Sequence, residues 1–250
     1  MKYNICVPIP IKSIKVSDNA PIISKVLGAN PNLVELRFDY LNKVQFLTKD
    51  FISSLLNRIQ PKVPVVLTFR NSSEGGQIEI PEVERFQIYK MFLELKPKFV
   101  DIEINTEKKI LNEIIESALR NKVTLIFSFH DFEKTPTFTK ANNLLDDFYK
   151  KLISEMAIDP KFVENSIFKL VFTAHSFEDN LIPLKLCKIK SNKKFKLISF
   201  CMGDLGFFSR FLCMFSGSFF TYGSFEEKTA LGQMNITEMR EILKLMNFKV

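Results

Sequence analysis

The sequence predicts an α/β protein, a single (β/α)8 barrel over residues 1–250. Three observations point there. Eight short apolar runs rich in Val, Ile and Phe recur along the chain, amphipathic stretches separate them, and 250 residues is the usual size of one such barrel. Strict strand–helix alternation requires a parallel sheet with right-handed crossovers, and eight units close naturally on themselves. An open doubly wound sheet is the other arrangement compatible with this pattern.

The strand-like runs cover residues 3–7, 33–38, 63–69 and 99–104, then 123–129, 167–174, 196–201 and 219–222. Between them, residues 81–95 read as a helix with Pro81 at its first position, where a missing N–H costs nothing. Residues 106–119 read as a helix capped by Thr106, with Ile110, Leu111, Ile114 and Ile115 on one side. Residues 142–156, 176–189 and 237–246 follow the same period.

Composition narrows the class of protein. Hydrophobic residues make up 46% and charged residues 25%, as in ordinary soluble globular chains, and 26 Phe with no Trp predict a Phe-rich core. The four cysteines, Cys6, Cys187, Cys201 and Cys213, form no C-x-x-C pair, and two histidines cannot complete a zinc site of familiar spacing. A reduced, metal-free, intracellular protein is expected. The net charge of +7 comes in short blocks such as Lys193-Lys194 without interleaved aromatics, which predicts a solvated lysine surface rather than a nucleic-acid interface. Residues 3–11 are apolar but too short to span a membrane, and they lack a small-residue cleavage site. A cytoplasmic location is therefore expected, with no membrane partner.

In a barrel the chemistry sits where strands end and the next loops begin, so polar residues in and just past each run carry the argument. Lys169 lies among Ile167, Phe168, Leu170, Val171 and Phe172. Neither face of a barrel strand is water, so such an amine is desolvated or reaches for the mouth. Desolvation favours the neutral amine, which attacks ketones to form imines. A Lys on an edge strand facing solvent is the competing reading. His130 ends the fifth run, where an imidazole can carry protons near neutral pH. His175 precedes Ser176 and reads as part of a helix entry.

The third run ends in Thr68-Phe69-Arg70, followed by Asn71-Ser-Ser-Glu74-Gly75-Gly76. Arg70 is suited to clamp an anion and Glu74 to orient a histidine, although an exposed ion pair in a polar loop fits equally well. Glu35, Arg37 and Asp39 share one strand face and need one another or a ligand. Five of the eight glycines fall between Gly203 and Gly232, in a segment that reads as loops and supplies Arg210, a carboxylate-binding candidate.

The segments VELRFDYL, LTFRNSSEGG, FSFHDF, FKLVFTA, CMGDLGFFSR and ALGQ occur in the order found in type I 3-dehydroquinate dehydratases, which this chain resembles from Leu33 to Gln233. The resemblance implies a (β/α)8 barrel, usually dimeric, without metal or organic cofactor, that dehydrates 3-dehydroquinate to 3-dehydroshikimate in the shikimate pathway. It implies Lys169 as the imine-forming lysine, His130 as the general acid/base and Glu74 as its partner. Glu35, Arg37, Arg70, Arg210 and Gln233 match substrate-binding positions, and Met202 and Tyr222 match side chains packing around the substrate. The family's final loop commonly reads S-A-P-G-Q, whereas this chain has Thr229-Ala230-Leu231-Gly232-Gln233. Thr229 keeps a hydroxyl for a substrate contact, while Leu231 lacks the φ restraint of proline. Two other functions are compatible with the residues alone: a class I aldolase acting on a sugar phosphate, and a non-enzymatic binding barrel.

Overall fold

The computed structural model describes residues 4–230 and 232–246. Tyr3, the first residue of the first expected strand, and Leu231 lie outside the described residues. By their internal contacts the residues form two compact units, Cys6–Leu125 and Ile126–Val250 together with Met1–Ile5.

Within the first unit, β1 (Ile5–Pro10), β2 (Leu33–Arg37), β3 (Val65–Thr68) and β4 (Phe99–Glu103) lie side by side in sequence order. Each pairing is parallel, with Pro8 opposite Glu35, Arg37 opposite Thr68 and Thr68 opposite Asp101. Parallel pairing requires crossovers, which α1 (Val16–Gly28), α2 (Lys49–Ile59) and α3 (Glu82–Glu94) supply, and α4 (Lys108–Asn121) follows β4. Strand residues are buried on both faces, which is why these runs read as continuously apolar rather than alternating. Phe38 and Phe92 pack 5.2 Å apart in the fully buried part of this unit.

Two expected helix starts shift. Pro81 is the N-cap of α3, one residue before the helix, with ψ of 141°. Thr106 does not cap α4; Glu107 holds that place, and Thr106 instead accepts a hydrogen bond from Arg85 at 3.4 Å. Helices α1 and α2 are additional to the helices that the sequence pattern predicts, and α1 accommodates Pro21 within its first turns.

In the second unit, β5 (Thr124–His130), β6 (Ile167–Thr173) and β7 (Leu197–Met202) are parallel neighbours, and β8 is only the pair Thr221–Tyr222. Among the described residues four α-helices intervene, α5 (Phe138–Lys150), α6 (Pro160–Asn165), α7 (Leu181–Asn192) and α8 (Phe207–Leu212), and α9 (Ile236–Leu245) follows β8. Thr137 caps α5, and a capping box of Asn235 with Glu238 opens α9. Phe127, Phe148, Phe168 and Phe195 form one chain of ring contacts between 4.8 and 6.1 Å, the Phe-rich core that composition predicts. The glycine-rich stretch after β7 is not all loop, since Arg210 lies on helix α8. Among the described residues no helix is long and apolar enough to cross a membrane.

Candidate active site

The first unit gathers its charges at the C-terminal ends of its strands. Side chains two apart on a strand share a face, and adjacent parallel strands hold those faces side by side. Glu35 accepts a hydrogen bond from the Thr68 hydroxyl at 2.8 Å on the neighbouring strand. Arg37 makes a two-pronged bond to Asp39, Nε to Oδ1 at 2.8 Å and Nη2 to Oδ2 at 2.7 Å. Arg70 is only 3% exposed, and it donates to Asp101 and Glu103, both at 2.8 Å. The exposed-ion-pair reading of this loop is thereby overturned, because all three groups are out of water. Burial alone would lower the Arg70 guanidinium, but Asp101, Glu103, Glu74 and Glu35 outweigh it and hold it well above the ordinary range.

The loop carrying Glu74 is bracketed by carboxylates. Asp39 accepts the backbone N–H of Arg70 and of Gln77, each at 3.3 Å, and Glu103 accepts that of Asn71 at 3.0 Å. The turn folds back so tightly that a Cβ at Gly76 would lie 2.0 Å from the Arg70 carbonyl oxygen, which accounts physically for the second glycine of the Glu-Gly-Gly element. Glu74 itself is buried at the end of a single 3₁₀ turn, Ser72–Glu74.

The second unit holds the nucleophile candidate. Lys169 is the third residue of β6 and only 5% exposed, so the solvent-facing edge-strand reading is wrong; β6 has strand neighbours on both sides. Its Nζ lies 4.6 Å from the centroid of the Tyr222 ring. Register puts Ser128 opposite Lys169 and His130 opposite Val171. His130 is therefore on the same sheet face, about 6.6 Å further along and about 4.8 Å across. His130 is half-buried at the strand end. His175 lies at the entry to the next helix, its backbone N–H on Asp179 at 2.8 Å and its ring against the Glu133 carbonyl, as expected.

Arg210 is held beside this face. Ser209, its neighbour on α8, accepts the backbone N–H of Cys201 on its hydroxyl at 2.8 Å, and its own N–H reaches Asn180 at 3.0 Å. The turn into α8 admits only glycine at 206, where a Cβ would stand 2.4 Å from the Met202 carbonyl oxygen. The Arg210 guanidinium lies 4.3 Å from the Phe200 ring centroid, and burial pulls it down to about 10. A buried cation in that state favours an anionic ligand. Met202 ends β7 and is buried, and the Tyr222 ring packs against Phe200 and Phe220. Gln233 is buried and its amide exchanges hydrogen bonds with Thr229, receiving the backbone N–H at 2.9 Å and donating to the hydroxyl at 3.1 Å.

The structure thus brings Lys169, Tyr222, Phe200 and Arg210 into one neighbourhood, and Glu35, Thr68, Arg70, Asp101 and Glu103 into another. Asp101, Glu103 and Arg85, and the Thr68 contact with Glu35, are additions that the structure makes to the residues expected from sequence. The available signal was the Asp-Ile-Glu spacing in the fourth run, which places two acids on one face of a buried strand.

The family model for type I 3-dehydroquinase matches residues 5–249. The 3-dehydroquinate dehydratase of Pyrococcus abyssi is 36% identical over 226 residues, covering 90% of this chain and 92% of its own. That of Thermococcus gammatolerans is 33% identical over 239 residues, covering 95% and 99%. The crystal structure of 3-dehydroquinate dehydratase from Geobacillus kaustophilus superposes with a TM-score of 0.83 at 23% identity, covering 98% of this chain and 91% of that one. This last likeness shows the fold, the (β/α)8 barrel that strand–helix alternation predicts. With a family match across nearly the whole chain and relatives this similar, the protein belongs to the type I 3-dehydroquinase family.

Proposed function

We propose that this chain is a hydro-lyase that converts 3-dehydroquinate to 3-dehydroshikimate, with Lys169 forming the covalent imine. The observation that carries the proposal is the placement of that one amine: buried in β6, lying over an aromatic ring, on the same sheet face as His130. Family membership supplies the substrate, since the relatives named above are 3-dehydroquinate dehydratases.

In this reading the Lys169 amine adds to the substrate ketone and the carbonyl oxygen leaves as water. The iminium withdraws electrons from the adjacent carbon, and His130 takes the proton there, leaving an enamine. The enamine expels the β-hydroxyl, which receives the proton from His130 and departs as a second water. Hydrolysis of the conjugated imine consumes one water and returns the lysine, so the net change is loss of one water. Arg210 holds the substrate carboxylate, and Thr229 and Gln233 contact its hydroxyls. On the family resemblance Glu74 tunes His130, Glu35, Arg37 and Arg70 bind substrate, and Met202 and Tyr222 pack around it. No metal or organic cofactor takes part.

We assign the activity to a single catalytic domain that works as a cytoplasmic homodimer. Turnover is tested by adding 3-dehydroquinate and following the absorbance of the conjugated enone. A rise that the Lys169→Met variant lacks is expected; a phosphorylated sugar turned over in place of the carboxylate would favour an aldolase instead.

A further inference from the structure

We propose that Arg85, on helix α3 and outside the family motifs above, is a positioning residue for the dehydration, holding Arg70 and the loop 71–76 in place through the carboxylate of Glu103. The proposal rests on the dehydratase reading, in which Arg70 meets the substrate.

Glu103 ends β4 with both oxygens engaged. Oε1 accepts Arg70 Nη1 at 2.8 Å and the backbone N–H of Asn71 at 3.0 Å, so it fixes both the guanidinium and the root of the loop carrying Glu74. Oε2 accepts Arg85 Nη1 at 2.5 Å, with the Tyr89 hydroxyl at 3.4 Å. The other edge of Arg85 is tied down one helical turn earlier, Nε and Nη2 each 2.9 Å from the two oxygens of Glu82. A continuous polar chain therefore runs from Glu82 through Arg85 and Glu103 to Arg70, and every link after Glu82 is buried.

Charge gives this chain a purpose beyond packing. Arg70 faces two buried carboxylates, Asp101 and Glu103. The buried Glu35 and Glu74 act on Arg70 as well. Buried carboxylates short of cations are costly and repel an anionic substrate, and Arg85 adds a second guanidinium to this group. Its own guanidinium stays charged, because burial is outweighed by Tyr89, Glu82 and Glu103.

A cavity of about 290 Å³ lies between the loop and α3, lined by Phe69, Asn71, Ile78, Pro81 and Arg85 among others. Beside it, the polar chain through Glu103 links α3 to the root of the loop.

The test uses the full chain as Arg85→Met, Arg85→Lys and Glu82→Gln, with kcat and KM from the enone assay and thermal unfolding as a check on folding. Arg85→Met is expected to raise KM about tenfold or more through Arg70, with a smaller fall in kcat through the loop that carries Glu74, while the imine-forming Lys169 is untouched. Arg85→Lys keeps a charge without the fork and should fall between. Glu82 is partly exposed, and Glu82→Gln should raise KM about two- to threefold by loosening Arg85 alone. If Arg85→Met does not fold, the order wild type, Glu82→Gln, Arg85→Lys in rising KM carries the proposal. Folded variants with wild-type KM, or a fall in kcat at unchanged KM, overturn it. Wild type that converts dehydroquinate alongside such variants leaves the dehydratase reading intact, whereas wild type that converts none sinks both.

Discussion

The Nζ of Lys169 lies 4.6 Å from the centre of the Tyr222 ring. In the proposed reaction that ring would pack against the substrate's six-membered ring. Tyr222→Phe keeps the aromatic ring and should retain near-wild-type turnover. Tyr222→Ala should lose about 1–2 kcal/mol of transition-state stabilisation, a roughly five- to thirtyfold fall in kcat/KM measured by the enone assay.

His130→Ala separates proton transfer from imine formation. A positioned acid/base contributes about 10²–10⁴-fold, so turnover should fall by that range. Lys169 is a separate group two residues back along the shared face, so the substrate adduct should still form and be trapped by borohydride. Full turnover in this variant would remove His130 from the mechanism.

Burial sets the charge of Arg210 against folding. Its folded value of about 10 lies below the ordinary 12.5, so folding works against its charge. Below pH 10 the guanidinium is charged both folded and unfolded and the penalty is fully present. As pH rises past 10 the folded protein gives up the proton first, and the penalty shrinks. Arg210→Met should therefore be more stable than wild type near neutral pH by up to about 3 kcal/mol, with the gap narrowing above pH 10 in denaturant titrations. The same variant should bind substrate far more weakly. A destabilised Arg210→Met protein would contradict this account of the buried cation.

Asp101 tests the other charge cluster. Replacing it with Leu leaves Arg70 held by Glu103 but removes one buried partner, and breaking a buried pair typically costs about 3–5 kcal/mol. Chemical denaturation should show a loss of that order. A loss below about 1 kcal/mol would mean that Arg70 finds compensation elsewhere.

How much of this was legible beforehand follows from where the signals sit. Lys169 stood out because one charge among Ile167, Phe168, Leu170 and Val171 has no bland place in a strand buried on both faces. The charged triplet Glu35, Arg37 and Asp39 stood out for the same reason, and Arg37 and Asp39 do satisfy each other. Asp101 and Glu103 carry the same signature inside the fourth run, two acids on one face of a buried strand with no loop residue beside them to mark a site. Their partner Arg85 could not be found from spacing, since it meets Glu103 from a separate helix. Gly203 and Gly206 precede helix α8 and mask its start, yet Gly206 is required by its close approach to the β7 backbone. Helix starts at Pro81 and Thr106 moved by a residue or two, which local preferences do not resolve.

The most direct test is chemical capture at the amine. The protein is incubated with 3-dehydroquinate, reduced with borohydride, digested and mapped by mass spectrometry. One substrate-derived adduct, on the peptide containing Lys169, is the predicted result. Turnover with no adduct, or with the adduct on a different lysine, would contradict it.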